Sequence, residues 1–426
     1  MRVSDRARNG RTGEEAERGG PRTVAKERYT SVEYWRAEME RLWPRVWLMA
    51  GLSRDLAAPG AYVTFDLGRE SYLIVRQEAG LRAFHNVCLH RGRRLCESAV
   101  GQAKSFQCPY HGWTWRTDGV LARVPDRESF EPGFVEERYH LREVACEEWS
   151  GMVWICAADD APSLRDYLGP VGPLIEAYGF DDYLLVEDFT LDLACNWKVC
   201  VDAFNEAYHL KSVHPEILGM VDDVNVRADL LGRHGRLIVP FFVPSPRKRD
   251  REVIDPSLLH MLEAAGMDRA DITGSALEMR GKIQRHIRAR ERGGDYDCSR
   301  LSDEQLSDSN HFHIFPNLQI DLYSLSMLLM RSRPHPTDPG RMLLDQQRFE
   351  RFPRSAVPPP RPRHSRFSLG EGSLGQVTDQ DMHNLVRVQE GMQSAAFRQL
   401  VFGDQEVLIG HMHDMLDELI STPLGA

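Results

Sequence analysis

The sequence predicts an α+β fold with two parts, an all-β module and a larger region that combines helices with long strands. From Trp47 to about Ala158, short β-rich runs such as AYVTFDL, SYLIVRQ and GMVWICA alternate with Gly, Asp and Arg turns. This pattern is typical of an all-β module of about a hundred residues. Two long apolar strands follow at 311–334 and 341–350, between helical stretches. A chain of 426 residues is long enough for two or three domains with separate cores.

The remaining elements follow from local patterns in chain order. Residues 1–28 carry charge and glycine without an apolar run, which predicts a disordered tail and no secretory signal. Residues 31–47 have apolar side chains at helical spacing and predict an amphipathic helix. Residues 184–195 predict a strand, and both 196–213 and 378–419 have a helical pattern.

Composition limits the kind of protein. Hydrophobic residues make up 42% and charged residues 27% of the chain, the balance of a globular protein. The net charge of −10 gives no reason to expect nucleic-acid binding. No run approaches the roughly 20 apolar residues of a membrane span, so we expect a cytoplasmic protein without membrane contact. In that compartment the eight cysteines predict metal ligands or buried thiols and not a disulfide framework.

Two short loops of the β module each contain one cysteine and one histidine. They read CLHRG, with Cys88 and His90, and CPYHGW, with Cys108 and His111. A zinc site is the alternative, but zinc ligands usually come as paired C-x2-C and H-x3–5-H spacings. One Cys and one His from each loop suit a [2Fe–2S] cluster in which one iron takes two thiolates and the other takes two imidazoles, the Rieske arrangement.

The stretch DAFNEAYHLKSVH, residues 202–214, contains a second pair of histidines. His209 and His214 stand five residues apart, which turns the second side chain about 140° from the first on a regular helix. If both bind one atom, the helix must end, bend or carry a π-bulge there. A histidine pair on a helix is more often structural. A Rieske cluster in the same chain, however, needs an electron acceptor, and two imidazoles with one carboxylate are the facial triad of oxygen-activating Fe(II).

With these motifs the chain resembles the α (oxygenase) subunits of Rieske non-haem iron aromatic-ring-hydroxylating oxygenases. The resemblance is carried by HNVCLHRGRRLC, CPYHGWTW, NWK, the acidic-x-F-x-E-x-Y-H-x4-H stretch and FPN at 315–317. It implies a Rieske domain at 45–160 inserted into a helix-grip (START/Bet v1-like) catalytic domain, formed by 29–44 and 161–426, with a curved antiparallel sheet around a long helix.

The resemblance also implies the third iron ligand. In the family this carboxylate lies in an E/Q-D pattern that opens a late helix, eight residues before a Gln. The stretch TDQDMHNLVRVQEG has this pattern, with Gln380, Asp381 and Gln389, and assigns Asp381. Asp379 is the competing residue. For either one, the alternative is a solvated carboxylate at a helix N-terminus, which the helix dipole favours.

Glu206, three residues before His209, is the expected catalytic residue of the electron path. In the family an acidic residue here links an iron histidine to a cluster histidine of the neighbouring chain. By that resemblance Glu206 connects His209 to His111 of the partner subunit in a homotrimer, with or without a β subunit. A carboxylate that accepts an N–H from each imidazole would orient both ligands.

The expected substrate cavity is bounded by the helix that carries the histidines and by the strand at 311–334. Side chains expected to point inward are mostly apolar and suit an aromatic or alicyclic substrate. His313 could orient a polar group of the substrate or cap a buried carbonyl. The candidate cavity residues are Asp202, Phe204, His313, Phe315, Leu318 and Ile320. Asp202 and Ala203 stand where many family members have Glu and Asn.

The resemblance implies one [2Fe–2S] cluster and one mononuclear Fe(II) per chain, with O2 as cosubstrate. Electrons are expected from NAD(P)H through a separate reductase, with or without a ferredoxin. The expected reaction is cis-dihydroxylation or monooxygenation of an aromatic-type small molecule in aromatic hydrocarbon catabolism, and O- or N-demethylation is an alternative. Rival functions of other classes are an electron-transfer Rieske protein without oxygenase activity and a helix-grip module that only binds ligands.

Overall fold

A computed structural model describes residues 22–135 and 138–421, which divide into two compact units. The β-rich unit comprises Glu38–Tyr167. The larger unit comprises the described residues before 38 and after 167. These boundaries differ from the predicted domains at residues 38–44 and 161–167, which belong to the β-rich unit and not to the larger one.

The N-terminal segment is more ordered than the sequence predicted. Residues 1–21 of the expected tail lie outside the described residues. Arg22–Ala25 form strand β1, which pairs antiparallel with Gln399–Phe402, strand β20. Val24 is buried there, so backbone pairing and burial of an apolar side chain both fix the segment. The predicted tail is therefore wrong for the residues from 22 to Arg28.

The β-rich unit contains a seven-stranded sheet in the order β2-β11-β10-β5-β4-β3-β6 and a three-stranded sheet β7-β8-β9. Every second residue of Ala61–Leu67 is buried, the alternation of a strand with one face on a core. This unit is the predicted all-β module. Its strands are β2 (Leu48–Leu52), β3 (Ala61–Leu67), β4 (Glu70–Gln77), β5 (Gly80–His85), β6 (Val100–Gln102), β7 (Ser105–Gln107), β8 (Thr114–Arg116), β9 (Leu121–Arg123), β10 (Glu143–Trp149) and β11 (Met152–Cys156).

The larger unit is built on an eight-stranded sheet in the order β13-β14-β15-β16-β17-β18-β12-β19. All neighbouring strands are antiparallel except β12 and β19, which are parallel. This sheet is the predicted antiparallel sheet of the catalytic domain. Its strands are β12 (Tyr183–Leu193), β13 (Arg227–Leu231), β14 (His234–Val239), β15 (Ser309–Ile314), β16 (Leu318–Leu322), β17 (Ser326–Pro334), β18 (Met342–Arg351) and β19 (Ser365–Ser368).

Two helices of the larger unit matter most for the site. Helix α5 contacts both strand β17 and helix α10, so α5 lies between the sheet and α10. The predicted helix at 31–47 is shorter, since its α-helical part ends at Ala37 and is followed by a π-helical turn, Glu38–Leu42. The helices are α1 (Glu27–Thr30), α2 (Val32–Ala37), α3 (Leu164–Leu168), α4 (Val171–Glu176), α5 (Trp197–Phe204), α6 (Leu210–Val213), α7 (Pro256–Ala264), α8 (Met279–Arg292), α9 (Asp303–Ser307), α10 (Gln376–Met392) and α11 (Val407–Ser421).

Among the described residues, none of the helices has both the length and the apolar character that crossing a bilayer requires.

Candidate metal centres

The helix that carries the histidine pair is interrupted between the two. Helix α5 begins at an N-cap, Asn196, whose side chain accepts the N–H of Lys198, and it ends at Phe204. The chain then turns before α6, for which His209 is the N-cap and His214 the C-cap. Both imidazoles therefore stand at the ends of one helical turn, which resolves the five-residue spacing that a continuous helix could not accommodate.

The structure brings the three predicted iron ligands together. One ligand atom from each of His209, His214 and Asp381 lies within 4.8 Å of the others. Nε2 of His214 is 2.7 Å from Oδ1 of Asp381, and Nε2 of His209 is 3.7 Å from the same oxygen. The side chains of His214 and Asp381 are almost fully buried, with 0% and 6% exposure. Such a set of two imidazoles and one carboxylate fits Fe(II) and leaves positions open for other ligands.

Two acceptors orient the imidazoles toward that common point. Nδ1 of His209 is 2.6 Å from Oε1 of Glu206, and Nδ1 of His214 is 2.7 Å from Oε1 of Gln380. Because these oxygens accept hydrogen bonds, each Nδ1 carries the proton and each Nε2 presents a lone pair. Gln380 was not among the predicted site residues, although it stands next to Asp381 in the Gln–Asp pattern.

The buried carboxylate strongly favours a positive partner. Burial alone would lower the pKa of His214, but its hydrogen bond to Asp381 and the charge of Asp381 outweigh burial and raise it. A cation between the two groups would therefore replace a proton. This preference for a cation agrees with a metal site formed by two imidazoles and one carboxylate.

Asp379, the competing carboxylate, has a different role. Its Oδ1 accepts the backbone N–H of Leu374 at 2.8 Å, and its Oδ2 accepts the hydroxyl of Ser373. These bonds fix the segment that leads into α10. The segment reads GEGSLG at 370–375, the spacing of a dinucleotide-binding loop. The Asp379 carboxylate occupies N–H and O–H groups that a phosphate would need, so the spacing alone does not indicate a nucleotide site.

The two cysteine–histidine loops of the β-rich unit have matching backbone geometry. The N–H of Gly92 donates to the carbonyl of Cys88 at 3.0 Å, and the N–H of Gly112 donates to the carbonyl of Cys108 at 3.0 Å. Both glycines have positive φ, 76° and 74°, which other residues adopt only with strain. The loops therefore present their side chains in the same way.

The four predicted cluster ligands are adjacent and fit a [2Fe–2S] group. The thiols of Cys88 and Cys108 are buried, and the rings of His90 and His111 have centroids 4.6 Å apart. Nδ1 of each histidine is buried and has no hydrogen-bond partner among the described residues. Buried nitrogens of this kind need a partner, and an iron atom would supply one.

The surroundings of the Cys88 and Cys108 thiols also favour metal binding. Burial raises the pKa of Cys88, and the neighbouring Cys108 raises it further, so thiolates at this position need a cation to hold them. All eight cysteines are free, in agreement with the expectation that they do not form a disulfide framework.

The predicted cavity residues do not all face one cavity. Strands β15 and β16 pair with His313 opposite Gln319. Directly opposed residues share a face, and Gln319 donates to the carbonyl of Val201 in α5 at 3.0 Å, so this face is turned toward α5. Leu318 and Ile320 alternate with Gln319 and project to the opposite face. The prediction that Leu318 and Ile320 line the cavity beside α5 is therefore wrong.

The remaining cavity candidates have defined surroundings. Burial lowers the pKa of His313 to about 3, and its Nε2 lies 2.9 Å from the carbonyl of Pro316. A neutral ring that donates to this carbonyl performs the second of its two predicted roles, the cap. Phe315 is fully buried, and its N–H donates to Nδ1 of His234 at 3.1 Å. Phe204, the last residue of α5, is half-buried.

Asp202 belongs to a buried hydrogen-bond chain that the sequence did not indicate. The hydroxyl of Tyr29 donates to Oδ2 of Asp202 at 2.6 Å and lies 2.7 Å from Nε2 of His413. Burial lowers the pKa of His413, so the neutral ring donates and the phenol oxygen accepts. The chain ties α1 and α11 to the helix that leads to the iron ligands.

Comparison with known proteins identifies the family. Residues 180–422 match the ring-hydroxylating alpha subunit (catalytic domain) family, and residues 46–141 match the Rieske [2Fe-2S] domain. The first match covers more than half of the chain, and the protein belongs to the ring-hydroxylating α-subunit family. The resemblance inferred from the motifs is confirmed, and so is the predicted pair of cofactors, a [2Fe–2S] Rieske cluster and a mononuclear iron.

Curated relatives include enzymes of two substrate types. The chain is 31% identical over 191 residues to the oxygenase subunit of glycine betaine monooxygenase from Pseudomonas aeruginosa (strain UCBPP-PA14), covering 45% of this chain and 44% of the relative. It is 36% identical over 208 residues to the carnitine monooxygenase oxygenase subunit of Acinetobacter baumannii, covering 48% and 55%. It is 33% identical over 195 residues to the biphenyl 2,3-dioxygenase α subunit of Rhodococcus jostii (strain RHA1), covering 42% and 41%. The chain thus spans about half the length of the curated relatives it matches.

Solved structures share the fold over nearly the whole chain. The quaternary ammonium Rieske monooxygenase CntA in complex with L-carnitine superposes with a TM-score of 0.67 at 22% identity, covering 93% of this chain and 95% of that one. Naphthalene 1,2-dioxygenase with bound indole gives a TM-score of 0.68 at 18% identity, covering 94% and 92%. The predicted combination of a Rieske domain with an α+β catalytic domain is confirmed.

Proposed function

We propose that the chain is the oxygenase component of a multicomponent Rieske oxygenase. It would hydroxylate a small molecule with O2 and with electrons from NAD(P)H, delivered by a separate reductase with or without a ferredoxin. The observation that carries the proposal is the convergence of His209, His214 and Asp381 in a chain that also holds a Rieske domain. An electron carrier alone would not need a second, buried ligand set, which favours the oxygenase over the electron-transfer alternative.

The residues of the chain have distinct tasks in this reaction. When bound, the cluster supplies single electrons and the iron supplies oxygen chemistry. Glu206 and Gln380 hold the protonated Nδ1 atoms of the two histidines, so that both Nε2 atoms point the same way. Burial of His214 and Asp381 keeps bulk water from the ligand set.

Assembly into a homotrimer, with or without a β subunit, is part of the proposal. Oε1 of Glu206 contacts Nδ1 of His209, and its Oε2 accepts the backbone N–H of His209 at 3.1 Å. The carboxylate is thus already fixed against the iron ligand. The family resemblance supports its second contact, with His111 of the partner subunit. The cytoplasmic location expected from the sequence belongs to the same proposal.

Two reaction types fit the same ligand set. The relatives named above are monooxygenases of quaternary ammonium compounds and a dioxygenase of an aromatic compound. An aromatic or alicyclic substrate, with cis-dihydroxylation or monooxygenation, remains the sequence-based prediction. Demethylation of an O- or N-methyl group is the second candidate, because two of these relatives act on methylated ammonium compounds.

The test is oxygen incorporation by the purified, iron-loaded chain. We would supply NADH, a surrogate reductase and 18O2, and offer naphthalene, biphenyl, indole, glycine betaine and carnitine in parallel. A product with two labelled oxygens indicates dihydroxylation, one indicates monooxygenation, and formaldehyde release indicates demethylation. About three irons per chain, two in the cluster and one mononuclear, would support the oxygenase, whereas about two irons with no label incorporated from any compound would favour the electron-carrier alternative.

A further inference from the structure

A cavity of about 390 Å³ opens in the larger unit, between the sheet and the segment before α10. Its walls come from strands β12, β17 and β18 and from Ser373 to Thr378. Pockets that bind small molecules usually measure roughly 300 to 1,000 Å³. The cavity therefore has the size of a small-molecule site.

The cavity lies on the sheet face that is turned toward α5. Gln346, which lines it, is opposite Phe189 on one side and Met330 on the other, and Met330 is opposite Gln319. Residues opposed across a ladder share a face. Gln319 donates to the carbonyl of Val201 in α5, so Gln346 projects to the same side as the helix that leads to the iron ligands.

The cavity also lies close to the third metal ligand. Thr378 forms part of its wall and stands three residues before Asp381 on helix α10. Residues three apart on a helix have Cβ atoms about 5–6 Å from each other. A molecule in the cavity would thus be within one helical turn of the metal carboxylate.

Gln346 has an unusual hydrogen-bond state. It is 2% exposed, and its Nε2 donates to the carbonyl of Leu374 at 3.4 Å. A carbonyl can only accept, so this contact fixes which end of the amide carries the oxygen. That oxygen, Oε1, is buried and has no hydrogen-bond partner among the described residues. A buried acceptor without a donor destabilises a folded protein and calls for an explanation.

Several neighbours of Gln346 in the wall are apolar or already paired. Phe189 and Leu328 are apolar, and both line the cavity. The Arg348 guanidinium bonds to the carboxylates of both Glu187, at 2.8 Å, and Glu350. With its charge satisfied by two acids, Arg348 has little attraction left for an anionic ligand. Gln346, with its buried unpaired oxygen, is therefore a polar group that can fix the orientation of a ligand.

We propose that Gln346 determines substrate class, by accepting a hydrogen bond from an N–H or O–H group on an otherwise apolar ring. This inference rests on the proposed function, because it makes the cavity the substrate site of the oxygenase. The substrate class is an aromatic or alicyclic compound with a hydrogen-bond donor. Compounds of the same shape that lack the donor would leave Oε1 unpaired and bind more weakly.

The test compares two probes of nearly equal shape, indole and indene, of which only indole has an N–H. Dissociation constants would be measured by titration calorimetry on the full, iron-loaded chain without a reductase. We expect indole to bind about tenfold tighter than indene. Gln346→Met should bring this ratio close to one, whereas Gln346→Glu, which keeps an acceptor, should retain the preference.

Gln347→Met is the matched control. Gln347 directly follows Gln346 in strand β18, so it projects to the other face, where its Nε2 donates to Asp188 at 3.2 Å. This variant should keep the indole preference. Gln346→Met removes an unpaired buried acceptor together with one long hydrogen bond, 3.4 Å to the Leu374 carbonyl. These effects oppose each other, so the melting temperature should stay close to that of the wild type, which separates loss of selectivity from loss of folding.

The outcomes separate this inference from the proposed function. Equal ratios in wild type and Gln346→Met, or no binding of either probe to the wild type, would overturn the role of Gln346. Oxygen incorporation without donor selectivity would leave the oxygenase in place and reject only this inference. Donor-selective binding with no oxygen incorporation from any substrate would instead reject the proposed function.

Discussion

Nε2 of His214 and Oδ1 of Asp381 lie 2.7 Å apart, although 167 positions separate these residues in the chain. His214 stands at the end of the short helix α6, and Asp381 lies in the second turn of α10. Their approach places a buried carboxylate against an imidazole lone pair whose other nitrogen is already held by Gln380. Two helices that are distant in sequence thus complete one ligand set.

Asp381→Ala should remove the mononuclear iron and leave the Rieske cluster in place. The two imidazoles that remain carry no negative charge, and the facial triad loses one of its three ligands. We expect iron to fall from about three to about two atoms per chain, with acid-labile sulfide and the cluster absorbance unchanged. Oxygen incorporation should be lost.

Asp379→Ala is the control for that experiment, because Asp379 lies two residues away but bonds to Ser373 and the N–H of Leu374. It should keep all its iron and lose about 1 kcal/mol of stability through the two missing hydrogen bonds. Loss of iron from Asp379→Ala with iron retained in Asp381→Ala would reverse the assignment.

Gln380→Leu should weaken iron binding without removing any ligand. The change deletes the oxygen that holds Nδ1 of His214 at 2.7 Å, so the ring loses its fixed tautomer and orientation. Loss of such a partner typically lowers metal affinity by about 10- to 100-fold. Competition with a chelator measures the iron affinity directly. The control is Gln376→Leu, at an exposed position of the same helix, which should match the wild type. Equal affinities in both variants would contradict the role of Gln380.

The candidate metal ligands could be recognised because their chemistry constrains local sequence. Cys88 and His90 lie in one short loop, and that spacing indicated the cluster site. His209 and His214 became indicative only once the cluster had been inferred, because a histidine pair on a helix is more often structural. Asp381 required the family resemblance, since a carboxylate near a helix N-terminus is common for other reasons. The family resemblance also predicted that the strands form an antiparallel sheet, whereas the strand patterns alone did not predict how the strands pair.

The faces of the sheet were wrongly predicted beyond the turn at 315–317, where Pro316 interrupts the strand pattern. Leu318 and Ile320 lie an odd number of residues from His313, so placing them beside it assumed that the alternation shifts by one residue at this turn. Ile314 pairs with Leu318 and His313 with Gln319, so the alternation is kept, and Gln319 and not its neighbours shares a face with His313. The contact of Tyr29 with Asp202 spans 173 positions, and nothing in the local sequence at either end indicates it.

Glu206→Gln should slow electron transfer between the two metal centres and leave both in place. The amide oxygen can still accept from Nδ1 of His209, so iron content should stay near the wild-type value. The charge that favours protonated imidazoles on both sides of the proposed link is lost. Single-turnover oxidation of the reduced cluster with substrate bound measures the step. Rates equal to the wild type would reject the bridging role.

Tyr29→Phe should destabilise the larger unit, because it interrupts the buried hydrogen-bond chain that includes Asp202. The substitution removes the hydroxyl that donates to Oδ2 of Asp202 and accepts from Nε2 of His413, and all three groups are buried. Leaving a buried carboxylate and a buried N–H without this partner costs about 2–3 kcal/mol. Tyr208→Phe removes a hydroxyl from a half-exposed side chain in the loop before His209, and it should change the free energy of unfolding by less than about 0.5 kcal/mol. Urea unfolding followed by far-ultraviolet circular dichroism compares the two variants. Equal unfolding midpoints would show that the hydrogen bonds of Tyr29 with Asp202 and His413 do not stabilise the larger unit.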